Sequence, residues 1–311
     1  MEVVWGLERF RHDGRPLYLA LGMFDGVHLG HQKVLAQTRE SAAAGGGRSV
    51  ALTFEPHPQR VIAPPPEPIL LTTIDERLDL FERLGMDATL VVQFDERFRE
   101  TPADRWIETL AGVMAPAGVF ASSDHAFGRD RGGTVDLLRA EGDRFGFAVT
   151  ILPPVHVEGT LVSSTLLRRL IRMGQVDEAR TFLGRWYSVR GQVIEGERRG
   201  RTLGFPTANL AVHPDKILPA KGVYAAWARL EGEETPAAVN VGTRPTFGQG
   251  ALIVEAHLLD YQGDLYGQPI ELLFVTRLRG ELSFRTVPEL VRQMEEDVGQ
   301  VREILGRFRA G

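Results

Sequence analysis

Gly22-Met-Phe-Asp-Gly-Val-His-Leu-Gly-His31 follows the apolar run Leu17-Tyr-Leu-Ala-Leu21 and precedes a helix-like stretch starting at Gln32. That order is a strand handing over to a helix, the repeating joint of an α/β sheet. The first turn of such a helix has backbone N–H groups without intrahelical acceptors, and they face the space beyond the carboxyl end of the strand. Nucleotide phosphates fit that space. His28 and His31 are three apart and so share a face of the opening turn, while Gly22, Gly26 and Gly30 let a ligand approach the backbone closely. The competing reading is a glycine-rich turn whose histidines are surface or capping groups. The clustering of both residue types at one junction favours the nucleotide.

Outward from this joint, the first half alternates strand and helix patterns. Residues 49–54, 88–94, 118–121 and 147–152 are short apolar runs suited to parallel strands covered on both faces. Helical periods predict helices over 75–84 and 102–114, the second with Trp106, Ile107, Leu110, Val113 and Met114 on one face and Pro102 in its first turn. Residues 63–68, with prolines at 64, 65 and 66, are an extended loop, since neither a helix nor a central strand accepts them.

Past Trp186 the period changes. Apolar runs at 187–194, 223–230, 237–241, 254–259 and 270–275 are separated by turns bearing glycine and proline, with no helix-length pattern between them. A small closed barrel is expected, because closure removes exposed edges. A final amphipathic helix spans residues 287–308, with Leu290, Val291, Met294, Val298, Val301 and Leu305 on its apolar side. The expected domains are 1–184, an α/β parallel sheet of Rossmann-like kind, and 185–311, an antiparallel β-barrel with a C-terminal helix. Barrel shape alone leaves an RNA-binding or ligand-free interaction barrel open.

Composition narrows the partners. A chain of 311 residues is long enough for two cores, and a net charge of −5 with interspersed signs argues against a nucleic-acid surface. There is no cysteine, which excludes disulfides and thiolate catalysis. No apolar run is long enough to span a membrane, and the N-terminus lacks a signal-peptide pattern, so a soluble, cytoplasmic protein is the default expectation.

The decapeptide resembles the Gly-x-Phe-Asp-Gly-x-His-x-Gly-His signature of nucleotidylyltransferases, in the form carried by bacterial bifunctional riboflavin kinase/FAD synthetases. Thr53-Phe-Glu-Pro-His-Pro58, Leu71-Thr-Thr73 and Val162-Ser-Ser-Thr-Leu-Leu-Arg168 resemble further landmarks of that family, in the expected order. In the second half Gly204-Phe-Pro-Thr-Ala-Asn209 is similar to its kinase motif and Pro219-Ala-Lys-Gly-Val-Tyr224 to its flavin-side strand entry. Asn240-Val-Gly-Thr-Arg-Pro-Thr-Phe247, Val254-Glu-Ala-His-Leu-Leu-Asp260 and Asp264-Leu-Tyr-Gly267 continue the pattern. The resemblance covers nearly the whole chain.

The resemblance implies two ATP-dependent steps, riboflavin to FMN and then FMN to FAD with release of pyrophosphate. It assigns the kinase base to Glu255, because a primary alcohol needs a carboxylate to orient it and accept its proton. Apolar neighbours Val254 and Ala256 place Glu255 on the opposite strand face. Thr207 and Asn209 are implied as positions for Mg²⁺ and its phosphates, with Gly204, Pro206, Gly222, Tyr224, Asn240 and Arg244 binding nucleotide or flavin. In the first half the resemblance gives His28, His31 and Arg168 the phosphates, and it adds Gly22, Phe24, Asp25, Gly26, Gly30, Asp124, Phe127, Ser163, Ser164 and Thr165 as binding positions. Ser163 to Thr165 also suit helix capping, and Arg168, followed by Arg169, also suits a solvated basic face.

One segment departs from the family pattern. Relatives commonly carry Val-Gly-x-Asp-Phe-x-Phe-Gly, whereas this chain has Ala121-Ser-Ser-Asp-His-Ala-Phe-Gly128, with Ser122 for a glycine and His125 for an aromatic wall. The departure motivates a second expectation, a monofunctional riboflavin kinase with a weakened or regulatory N-terminal nucleotide module.

Overall fold

The computed structural model describes residues 1–65, 67, 69–196, 203–243 and 252–309. Its first compact unit, Met1–Ser164, is a six-stranded sheet built from β1 (Glu2–Trp5), β2 (Leu17–Leu21), β3 (Arg48–Glu55), β4 (Ala88–Gln93), β5 (Gly118–Ser122) and β6 (Ala148–Leu152). Every pairing is parallel, in the order β1-β4-β3-β2-β5-β6. Between the strands run α1 (Leu29–Ala44), α2 (Pro58–Ile62), α3 (Ile74–Arg83), α4 (Glu96–Arg99), α5 (Ala103–Met114) and α6 (Val135–Phe145), and a short hairpin, β7 (His156–Val157) and β8 (Thr160–Leu161), follows β6.

The continuous apolar runs of the strands have a physical reason in this layering. Leu19, Leu21, Val50, Leu52 and Leu90 meet Trp106, Ile107 and Leu110 of α5 in one core. Ala20 and Ala51 point the other way, into a second core with Val34 and Leu35 of α1 and Phe81 of α3. With both faces covered, alternate polar positions would be buried without partners. Two details differ from expectation. Val113 is 37% exposed, off the buried stripe of α5, and Pro102 is the N-cap of that helix, outside its first turn. The edge strand β1 had no signal in the sequence pattern, being four residues long and mostly exposed.

Thr165–Gly311 forms the second compact unit. It holds α7 (Ser164–Met173) from its second residue on, α8 (Val176–Leu183), then β9 (Tyr187–Ile194), β10 (Ala208–Val212), β11 (Gly222–Leu230), β12 (Glu233–Thr243), β13 (Leu252–Leu258) and β14 (Pro269–Arg279), and finally α9 (Val287–Arg309). The strands close an antiparallel barrel in the order β10-β13-β12-β11-β14-β9. Tyr224, Ala226, Val239, Val241, Val254, Ala256, Leu272 and Phe274 alternate along the strands as its buried interior. On the outside, Ala225, Trp227, Leu273 and Val275 pack against Val301 and Leu305 of α9. The division into units falls earlier than the expected boundary at 184/185, because α8 packs on β14 and β9 of the barrel.

Two candidate active sites

In the first unit the chain builds β2, β3 and β4 outward on one side and then returns to lay β5 and β6 on the other. The turn after β2 and the loop after β5 therefore leave neighbouring strands at the topological switch point, where open parallel sheets bind ligands. Both sequence-predicted segments, 22–31 and 121–128, lie there.

The turn after β2 is conformationally strained. Phe24 and Val27 have φ of 54° and 39°, and Gly26 has φ of 86°. A left-handed valine is a costly backbone state, which persists only where its surroundings over-determine it. Several restraints do so. The Phe24 ring is buried, edge-on to Phe81 at 5.5 Å and to His31 at 5.3 Å. Gly22 makes room for it, since a β-carbon there would lie 2.9 Å from the ring. The buried Asp25 carboxylate accepts the N–H groups of Leu71 and Thr72, both at 3.0 Å, and the Thr72 hydroxyl accepts Gly26 N–H at 3.0 Å. Gln32 Nε2 donates to Val27 O at 2.9 Å, and Ser164 Oγ donates to Asp25 O at 2.9 Å.

The histidines come next. α1 begins at Leu29, earlier than Gln32, with His28 as N-cap whose Nδ1 accepts His31 N–H at 3.3 Å. The capping role weighed for the histidines is thus observed for one nitrogen of His28, and it fixes the ring. The two imidazoles stack at 3.6 Å and 17°, and a β-carbon at Gly30 would lie 3.1 Å from the His28 ring. The structure therefore gathers Gly22, Asp25, Gly26, His28, Gly30, His31 and Ser164 at one helix start. Phe24 lies beneath it as core.

In the loop after β5, Ser122 ends the strand in ordinary extended backbone, so nothing there demands the glycine of relatives. His125 stacks on Phe127 at 5.6 Å and 27°. Burial pushes the His125 imidazole down to about 4, with Arg131 adding to the shift and Asp124 opposing it. The ring is neutral at pH 7. Asp124 itself is exposed. Ser163 is half-buried just before α7, whereas Thr165 and Arg168 belong to the second unit, on α7.

In the barrel unit, strand register assembles the second site. Glu255 on β13 pairs with Asn209 on β10 and with Asn240 on β12, so the three side chains form one row. Val254 and Ala256 point inward, which puts the row on the outer face. There Glu255 and Asn240 line a cavity of about 330 Å³ with Phe205, Thr207, Arg279, Leu282, Phe284 and Met294. Thr207 also lines a neighbouring cavity of about 550 Å³ with Tyr261, Asp264 and Tyr266. The Pro206 carbonyl lies 2.8 Å from His257 Nδ1. Gly204 is exposed with φ of 87°.

Two predicted positions serve the scaffold. Tyr224 is fully buried inside the barrel, its ring edge-on to Phe274 and its hydroxyl donating to Ala220 O. Gly222, with φ of 149°, lets β11 approach β14, since a β-carbon would lie 2.3 Å from Arg279 O. Arg244 lies outside the described residues. Sequence reasoning missed Arg279 and Asp297. Asp297 on α9 accepts Arg279 Nε at 2.9 Å and Nη2 at 2.6 Å, and Gln293 Nε2 at 3.1 Å, along the cavity wall. The signal was an aspartate three residues beyond Met294 and four before Val301, on the apolar stripe of the helix.

Comparison with known proteins decides the family. The FAD synthetase family matches residues 11–166 and the riboflavin kinase family residues 183–305. A bifunctional riboflavin kinase/FMN adenylyltransferase of Listeria monocytogenes is 35% identical over 293 residues, 93% of each chain. The chain belongs to the bifunctional riboflavin kinase/FMN adenylyltransferase family. The Haemophilus influenzae member is 34% identical over 96% of this chain and 97% of its own, and the Bacillus subtilis member 33% identical over 90% and 89%. A crystal structure described as a macrolide-efflux protein from Streptococcus pneumoniae has the same fold, with a TM-score of 0.87 and 29% identity over 97% of this chain and 99% of that one. Among the described residues no helix is long and apolar enough to cross a membrane. With both family domains present, the chain is a riboflavin kinase and an FMN adenylyltransferase, acting on riboflavin, FMN and ATP and yielding FAD. The monofunctional reading is set aside.

Proposed function

We propose that the barrel unit phosphorylates riboflavin with Glu255 as base, and that the helix start at His28 and His31 adenylylates FMN. The observation that carries the kinase assignment is the row Asn209–Glu255–Asn240 beside an apolar-walled cavity. A flavin ring suits walls of Phe205, Leu282, Phe284 and Met294, with its ribityl 5′-hydroxyl toward Glu255, which accepts the proton as the oxygen attacks the γ-phosphorus of ATP and ADP leaves. Tyr261 and Tyr266 in the neighbouring cavity offer rings to adenine, and Thr207, common to both cavities, stands where the phosphoryl group would cross.

Mg²⁺ fits this donor set. Among the described residues no cluster of three or more His, Asp or Glu could hold a metal on its own. Thr207 and Asn209 offer neutral oxygens, as suits an ion that keeps its waters and leans on substrate phosphates. The Asn209 amide occupies the space above Gly196, where a β-carbon would come within 2.1 Å of it. When bound, the ion would neutralise phosphate charge during transfer.

In the adenylylation step the FMN phosphate attacks the α-phosphorus of ATP and pyrophosphate leaves. The nucleophile is already an anion, so alignment and charge stabilisation suffice. His28 and His31 would donate to the ATP phosphates, aided by the positive end of α1. The neutral His125 ring, stacked on Phe127, offers a flat wall to a bound base or flavin. A cytoplasmic location is the reading we infer from the dependence of both steps on ATP.

Glu255→Gln tests the kinase assignment. Riboflavin phosphorylation should fall by about 10²-fold or more, the scale of a lost general base, while FAD formation from supplied FMN persists. Near-normal FMN production by this variant removes Glu255 from the role.

A further inference from the structure

Arg77 is the largest fully buried side chain among the described residues, and nothing in the chemistry above uses it. It lies on α3, on the apolar side of the helix, under the strained turn. Its Nη1 donates to Thr53 Oγ1 at 2.8 Å, Met23 O at 3.1 Å and Phe54 O at 3.2 Å. Thr53 Oγ1 in turn donates to Met23 O at 2.9 Å. The carbonyl that opens the turn is thus gripped by two buried donors, one from β3 and one from α3.

The guanidinium is held at a cost. Burial pushes its affinity for a proton down, opposed by the charges of Asp25, Glu55 and Glu76, and Nη2 stands 3.6 Å from Glu55 Oε2. Its Nε and Nη2 find no hydrogen-bond partner among the described residues. A buried cation with donors to spare is poor core material, since an apolar side chain of similar volume would be as stable or more so. Its placement has another consequence. Met23 immediately precedes Phe24, the first of the left-handed residues, and the turn they begin ends at the His28 cap. A strained turn keeps one conformation only while such restraints hold.

We propose that Arg77 is a positioning residue for adenylyl transfer: through Met23 O and Thr53 it holds the turn in the conformation that presents the α1 N-terminus and the two histidines. This rests on the assignment of that turn to the adenylylation step. Arg77 touches no substrate; it acts through the backbone.

The full-length chain serves for the test, with FAD formation measured from FMN, ATP and Mg²⁺, and riboflavin phosphorylation as the internal control. Arg77→Met should lower kcat for FAD formation by about 10- to 100-fold, the scale of a displaced reacting geometry, with the KM for FMN within about threefold and FMN production unchanged. Arg77→Lys should recover much of the loss, because an ammonium keeps the charge among the three carboxylates and has three donors for the three acceptors of Nη1. Thr53→Val, which removes the other donor on Met23 O, should lower kcat about tenfold in the same way. Should Arg77→Met fail to fold, Thr53→Val decides alone. Unchanged kcat in Thr53→Val, or equal losses in the Met and Lys variants with a raised KM, overturns the proposal. The double variant His28→Ala/His31→Ala separates the two claims: if it makes FAD normally, the site assignment is wrong, and if it makes none while Arg77→Met is unimpaired, only the role of Arg77 is wrong.

Discussion

Asp297→Ala tests whether one ion pair locks α9 over the kinase cavity. The pair has two charge-assisted hydrogen bonds, 2.9 Å from Nε and 2.6 Å from Nη2, and the side chains of Arg279 and Asp297 are 20% and 6% exposed. Breaking a fully buried pair costs about 3–5 kcal/mol, because the surviving charge is left uncompensated. Arg279 is partly exposed and also donates to Gly280 O, which lets it recover some solvation. A loss of about 2–3 kcal/mol follows, equivalent to roughly 5–10 °C for a unit of this size. Calorimetry on the full chain should show the barrel transition moving down while that of the sheet unit stays. The KM for riboflavin should rise several-fold, since Leu290, Met294 and Val298 of the same helix line the cavity. Arg302→Met is the matched control. It breaks the bidentate pair between α9 and Asp260, whose side chains are 55% and 71% exposed, and solvent screening leaves such a pair little to contribute. An unmoved barrel transition in Asp297→Ala, or equal shifts in both variants, would refute the reasoning.

Two further outcomes are expected. A fragment of residues 165–311 should fold and phosphorylate riboflavin, and should unfold at higher denaturant than 185–311, because the longer piece keeps α8 on β14 and β9; equal midpoints would show that α8 adds nothing. His125 binds its proton at about 4 in the folded chain against 6.5 in the unfolded one, so the unfolded state takes up a proton that the native state refuses as pH falls through that window. Stability should drop by roughly 1–2 kcal/mol between pH 6.5 and 5 from this group, and His125→Phe should be flatter over the same range in urea unfolding.

Local pattern and long-range partnership were not equally legible. Most of the longer strands of both units and the helix from 287 onward showed in periodicity, because burial imposes a period on any chain that packs one or two faces. β10 was missed as a strand: Ala208–Val212 is five residues long and its polar Asn209, paired with Glu255, interrupts the apolar run. Glu255, Asn209 and Asn240 were each singled out, yet only register shows them adjacent. The partners of the nucleotide turn had weaker signals still. Asp25 binds Leu71 and Thr72 across 46 and 47 positions, and Arg77 reaches Met23 across 54. Nothing local marks either end of such a bond, and Asp25 reads from sequence as a ligand group when its carboxylate is engaged by backbone N–H groups.

The two sites are built on different principles, and this sets how each tolerates change. In the barrel the proposed base, Glu255, projects from a regular strand whose inward neighbours, Val254 and Ala256, are fixed by the core, so side chains along the cavity wall can vary without moving it. At the turn after β2 the proposed donors are backbone groups and a capping imidazole, and their position depends on φ values of 54°, 86° and 39° at Phe24, Gly26 and Val27. Such a conformation has no register to hold it. It depends on Asp25, Thr72, Thr53 and Arg77, all of them buried. Substitutions away from the ligand should therefore impair adenylylation more readily than phosphorylation, whereas the departures after β5, at Ser122 and His125, fall on residues outside the left-handed region.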